Sequence, residues 1–102
     1  MERKYSVILG NLGNTKDRFC GGYKTNPTTM EMLKQAAAIE YVRGIELVGT
    51  WDIDVDNAKG MKRALDDLGL QCVSIIPDLF ANKLYWKGAY TSKEAAVRRQ
   101  AI

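Results

Sequence analysis

Apolar residues in this chain gather into three short runs, and between the runs they recur at helical spacing. The first run, Tyr5-Ser6-Val7-Ile8-Leu9-Gly10, is β-branched and apolar and stops at a glycine, which predicts a buried strand near residues 5–10. The second, Gly44-Ile45-Glu46-Leu47-Val48-Gly49, is bounded by glycines and predicts a central strand at 44–49. The third, Leu70 to Ile76, is nearly continuous and ends at Pro77, predicting a strand over 70–76.

Helices are expected between and after these runs. Thr28-Thr29-Met30-Glu31 has the form of a capping box and opens a helix over 29–43. Met30, Leu33, Ala37 and Tyr41 would share its inner face, Ala36 beside Ala37 would allow a close approach to a sheet, and Gly44 would close it in a left-handed cap. Asp54 or Asp56 is expected to cap a second helix over 56–68, with Met61, Ala64, Leu65 and Leu68 turned inward and Gly69 ending it. Thr91-Ser92-Lys93-Glu94 offers another capping box and a third helix over 92–102. That helix meets no stop signal before Ile102, so the segment is expected to be the front portion of a longer repeating chain.

Continuous apolar strands separated by single helices predict an α/β domain with a parallel sheet buried on both faces. Two loops interrupt the pattern. Residues 11–28 contain Gly13, Gly21, Gly22 and Pro27, and within them Asp17 to Lys24 mixes charge, aromatics and flexible backbone as ligand-contacting loops do. Residues 78–90 hold Phe80, Tyr85 and Trp86.

Composition narrows the chemistry. Fifteen Lys and Arg against twelve Asp and Glu give a net charge of +3, and no basic run is interleaved with aromatics, so nucleic acid is not the expected partner. No apolar stretch approaches the roughly twenty residues of a membrane span. Cys20 and Cys72 have no CxxC spacing and the first residues are unlike a signal segment, which together fit a reducing cytoplasm. The two thiols read as small buried hydrophobes. Histidine is absent, which removes the commonest general base and transition-metal ligand. Asp52-Ile53-Asp54-Val55-Asp56-Asn57 imitates a calcium loop but puts Asn57 where glycine is required and Arg63 where the closing glutamate belongs.

Three stretches carry a family resemblance: Gly44-Ile45-Glu46-Leu47-Val48 after an alanine-rich helix, Leu68 to Ile75 leading into the third strand, and Trp86-Lys87-Gly88-Ala89 followed by Val97 to Ile102. In order and spacing they resemble the N-terminal part of the xylose isomerase-like TIM barrels, a family of sugar isomerases, sugar-phosphate isomerases and epimerases. The resemblance implies the first three strand-helix units of a (β/α)8 barrel of roughly 250 to 300 residues. It also implies a metal-dependent isomerase or epimerase of sugar metabolism, acting on a sugar or sugar phosphate. Its divalent metal (Mn, Mg, Co or Zn) would be bound by carboxylates and a histidine on later strands, outside this chain. No catalytic or metal-ligating residue is therefore assigned here, and these residues alone are expected to be inactive. A nuclease of the same superfamily fits less well, given the mild charge.

In such a barrel the working face lies at the C-terminal ends of the strands. That directs attention to Asn11 and the loop from Arg18 to Tyr23, to Thr50-Trp51-Asp52, and to Asp78-Leu79-Phe80 with Trp86, and within them singles out Asn11, Arg18, Trp51, Asp78, Phe80 and Trp86. The aromatics would wall the apolar faces of a sugar, while Asn11, Arg18 and Asp78 would bond hydroxyls or a phosphate. Trp86 reads equally as a ligand wall or a loop anchor. Glu46, alternating with Ile45 and Leu47, should point into the barrel if those two meet the helices. There it would support a site or bond a neighbouring strand. An alternative function remains: a small α/β binding module standing alone, or a partial barrel completed by a partner chain or a second copy, with no catalysis of its own.

Overall fold

The computed structural model describes residues 2–13, 22 and 25–102. Arg18, Cys20 and most of the expected ligand loop lie outside the described residues. Three parallel strands, β1 (Tyr5–Ile8), β2 (Val42–Val48) and β3 (Gln71–Ile76), pair in the order β1-β2-β3. Between them stand α1 (Thr29–Ala38) and α2 (Ala58–Asp67), and α3 (Ala95–Gln100) follows. Single 3-10 turns occupy Leu9–Leu12 and Lys83–Tyr85. The chain is thus an α/β unit with a parallel sheet.

One face of the sheet makes the core. Ile45 and Leu47 of β2 are fully buried against Leu33 and Ala36 of α1 and Met61 and Leu65 of α2. A bulge at Arg43, where the pairing steps from Tyr5↔Val42 to Ser6↔Gly44, turns Val42 to the same side. Cys72, half-buried, packs against this core as the small hydrophobe expected.

The expected burial of both faces is not what the fold adopts. Both helices that contribute to the core cover the same side, and the other side carries Ser6, Glu46 and Ser74 with exposed Val73. Helices on one face are what consecutive, sequentially ordered parallel strands produce when every crossover has the same hand.

Several element boundaries differ from expectation, each for a local reason. β1 stops at Ile8 because the chain curls into the 3-10 turn that drops Leu9 into the core. The capping box at Thr28 forms: Glu31 N–H donates to Thr28 Oγ1 at 3.2 Å and Thr28 N–H to Glu31 Oε2 at 2.6 Å. Yet α1 ends at Ala38, and the left-handed residue that turns the chain is Tyr41, with φ 65°. Gly44 therefore lies inside β2, because Val42 already pairs with Tyr5. The inner face of α1 is Met32, Leu33 and Ala36, with Ala37 packed against the core as expected and Met30 and Tyr41 exposed; Tyr41 is beyond the helix, and Met32 reaches toward Gly13 below the 3-10 turn.

Neither Asp54 nor Asp56 caps α2, whose N-cap is Asn57 with no side-chain capping bond; Asp54 Oδ1 instead accepts from the amides of Asp56 and Asn57, both at 2.9 Å, and closes the turn before the helix. Met61 and Leu65 are buried inside that helix, and Gly69 closes it at φ +67°, as expected. α3 starts at Ala95 instead of residue 92: Ser92 Oγ accepts only from Glu94 N–H, two residues on, which makes a turn in place of a capping box.

Candidate functional site

The ends of β2 and β3 build the site. Past Val48 the chain doubles back in a tight turn: Thr50 N–H donates to Ile53 O at 2.8 Å, Asp52 N–H to Val48 O at 2.9 Å, and Gly49 N–H to Ile76 O at 2.8 Å. Thr50 sits at φ 67°, a left-handed conformation that is strained for a β-branched residue and persists only where the surroundings enforce it. The reversal sends Trp51 outward and Asp52 inward.

Trp51 is gripped from two sides. Its Nε1–H donates to Asp78 Oδ2 at 2.7 Å, and Phe80 meets its ring edge-on, with centroids 5.6 Å apart and planes at 64°. Asp78 Oδ1 accepts from Ala81 N–H at 3.2 Å, so one carboxylate ties the loop after β3 to the turn after β2. Trp51 nonetheless keeps 40% of its surface exposed.

Asp52 is the opposite case, with 7% exposed. Its Oδ2 accepts from Val48 N–H at 2.8 Å, and its backbone carbonyl accepts from Asn57 Nδ2 at 3.2 Å. Burial pushes its carboxyl pKa up, and the Val48 amide offsets that only in part. A cleft of about 270 Å3 opens here, bordered by Gly10, Gly13, Pro27, Met32, Trp51 and Asp52.

Of the residues expected at the working face, Trp51, Asp78 and Phe80 come together. Asn11 is exposed in the first 3-10 turn, beside Gly10 on the cleft but not itself part of the lining. Trp86 is 78% exposed, with Lys87 Nζ 4.7 Å from its ring centroid, and shares with Phe80 a separate cleft of about 320 Å3. Arg18 lies outside the described residues. Glu46 does alternate with Ile45 and Leu47: on the face away from the helices, Ser6 Oγ–H donates to its Oε1 at 3.0 Å and Ser74 Oγ–H to its Oε2 at 3.2 Å. It laces the three strands together.

Asp52 falls on the expected working face beside Thr50 and Trp51, where the sequence assigns it no contact. Its sequence signal is its place three residues beyond the glycine that ends the β2 run. Among the described residues no three of Asp, Glu and Cys converge on a point where a metal ion would sit. Asp78 holds an indole, and Glu46 holds two hydroxyls on another face, so these residues do not fit a divalent ion. No helix among them is long and apolar enough to cross a membrane. Compared with known proteins, the chain matches no family model and no curated sequence.

Proposed function

We propose that this chain forms part of the wall of a sugar-binding site in a (β/α)8 barrel of the xylose isomerase-like kind, which isomerises or epimerises a sugar or sugar phosphate in the cytoplasm. The observation that carries the reading is the Trp51–Asp78–Phe80 cluster: an indole held by a carboxylate and a second ring, yet left partly open, at the C-terminal ends of two adjacent parallel strands. A fixed aromatic face there stacks on the apolar side of a sugar ring, and the remaining lone pairs of Asp78 accept from its hydroxyls. Helices confined to one side of a sequentially ordered sheet support the barrel. Glu46 braces the strands that carry the cluster and does no chemistry in this reading. The divalent ion of such a barrel finds no ligand set among the described residues, and the reading assigns its ligands to later strands.

The test has two arms. Titrating the chain with aldoses, ketoses and their phosphates should quench tryptophan fluorescence, and Trp51→Phe should abolish the response. The barrel containing these strands should interconvert aldose and ketose, or epimerise a ketose, and lose turnover with a chelator. Turnover insensitive to chelator, or sugar binding unchanged in Trp51→Phe, refutes the reading.

One observation favours a second reading, a partial barrel completed by another chain or copy without catalysis of its own. β3 is an edge strand that exposes Val73 and Ile75. Sedimentation separates this from a self-standing module: obligate assembly supports completion, and a stable monomer argues against it.

A further inference from the structure

Asp52 is a buried ionisable group that the sugar contacts proposed above do not use. Two clefts flank it. One is the cleft beside Trp51; the other, about 320 Å3, lies between the starts of α1 and α2, with Met30, Leu33 and Met61 on its walls and Asp56 and Asn57 at its edge. Only one Asp52 oxygen is engaged: Oδ2 takes the Val48 amide, while Oδ1 accepts from no described residue. Among the described residues no side-chain polar atom is both sealed from solvent and unpaired, so Oδ1 is reached by solvent, and Asp52 lines both clefts. No Lys or Arg among them pairs with it; the ion pair they form is Lys62–Asp66. The residue is more than nine-tenths buried, yet this oxygen is left to solvent, and the O–H or N–H of a ligand can take the place of water there.

We propose that Asp52 Oδ1 is the hydrogen-bond acceptor of a ligand site in the cleft at the ends of β1 and β2, receiving an O–H or N–H of a small ligand that lies against Trp51. That the ligand is a sugar, with a hydroxyl as the donor, rests on the function proposed above; the acceptor role does not. The turn holding Trp51 and Asp52 is pinned by backbone bonds among Val48, Thr50, Asp52 and Ile53 and by the left-handed Thr50, so the two neighbouring side chains have fixed and divergent directions. That is the preorganisation a binding site needs. The cleft, at about 270 Å3, is close to the lower bound of roughly 300 Å3 for small-molecule sites, which suits one sugar ring and not a chain of them. Burial raises the pKa of Asp52, and the single amide bond from Val48 offsets that only in part.

Asp52→Asn tests this. The asparagine oxygen can still accept from Val48 N–H, while its NH2 places donors where Oδ1 was. Wild type and Asp52→Asn are titrated with a ketohexose and an aldohexose and, as minimal donors independent of the sugar reading, with urea and methylammonium. Backbone amide shifts of Gly10, Trp51 and residue 52 report binding, and thermal melts report folding. The expected result is sugar binding at least tenfold weaker in Asp52→Asn, with no drop in melting temperature. Equal sugar binding by both proteins overturns the acceptor role and leaves the sugar reading standing. If sugars fail to bind but the minimal donors shift these amides in wild type and not in Asp52→Asn, the acceptor role holds and the sugar reading falls. If nothing shifts in wild type, both fall. Should Asp52→Asn not fold, the side-chain carboxyl carbon of Asp52 in the wild type decides the matter: a ligand-induced shift there supports the role, and its absence while other cleft signals move overturns it.

Discussion

Gly44 sits where the three strands of the sheet pinch together, and replacing it with alanine measures how tightly. A Cβ at this position would lie 2.8 Å from Ser6 Cβ on β1 and 2.9 Å from Val73 Cγ1 on β3, with Ser6 Cα at 3.3 Å. All are well inside carbon–carbon contact distance, and they come from both sides, so β2 cannot shift away from one without driving into the other. Overpacking of this sort costs about 1–3 kcal/mol. For a domain of this size that lowers the melting temperature by roughly 5–20 °C. Two other glycines serve as controls. Alanine at Gly49 meets only Ile76 O at 3.6 Å and Pro77 Cα at 3.8 Å, ordinary contacts, and should change little. Alanine at Gly60, within α2 with nothing inside 4 Å, should stabilise by roughly 0.5–1 kcal/mol through helix propensity. Adding Val73→Ala to Gly44→Ala removes the Cγ1 clash but leaves Ser6, so the double variant should recover part of the loss relative to Val73→Ala alone. Circular-dichroism melts and urea titrations give all of these values. A Gly44→Ala protein as stable as wild type would show that the strands are not packed at this register.

The core should be less forgiving: Leu47→Ala, at a fully buried site, is expected to cost about 2–5 kcal/mol by urea denaturation, a large share of a small domain's total stability. Glu46→Ala loses both serine bonds and should cost roughly 1–2 kcal/mol, discounted for a half-exposed site. Glu46→Gln keeps an acceptor for one serine and a donor the other can receive, and should stay within about 0.5 kcal/mol; a large loss in Glu46→Gln would mean the charge itself matters. Thr50→Gly should raise stability by roughly 1 kcal/mol in thermal melts by relieving the left-handed strain, despite the usual cost of glycine. The raised pKa of Asp52 means the folded protein holds that proton more tightly than the unfolded chain, so its contribution is greatest below 3.8 and is lost as pH rises through the folded value. Denaturation from acid to neutral pH should therefore show wild type losing stability relative to Asp52→Asn as pH rises; parallel curves would refute this.

The parts of the fold legible in the sequence are those set by neighbours in the chain. The capping box at Thr28 needs only residues three apart, and Gly69 needs only its own backbone, so both formed as read. The three apolar runs pair as strands, but burial follows only in the central one: β2 is largely buried, while β1 and β3 leave Tyr5, Val73 and Ile75 exposed. Gly44 shows where that logic stops. At the end of a helical pattern it looked like a left-handed cap, yet Tyr41 takes the left-handed turn and Gly44 is needed because Ser6 and Val73, distant in sequence, leave no room for a side chain. A glycine selected for φ and one selected for space are indistinguishable in one sequence. The rotated face of α1 has a similar cause: the helix ends where β2 pairing with β1 begins, and Met32 is drawn in by the 3-10 turn, which no periodicity within α1 reveals.

At the site, the same division separates what was found from what was missed. Trp51, Asp78 and Phe80 were readable because in a parallel sheet the residues just past adjacent strands must converge, whatever the loops do in detail. Their arrangement was not readable: Asp78, expected to face a ligand, holds the Trp51 indole. Asp52 falls on the expected working face with no contact assigned to it, because burial is a property its sequence gives no hint of. It follows a tryptophan, precedes Ile53-Asp54, and would lie outside had Thr50 stayed in an extended conformation. A single strained dihedral turns the chain so that the aromatic goes out and the acid goes in. The strain at Thr50 and the burial of Asp52 are thus linked costs, both arising in one turn at the mouth of the sheet. Neither strengthens the core below, which is why the turn is read as a place prepared for a ligand and why Thr50→Gly, if it stabilises the fold, should at the same time weaken binding beside Trp51.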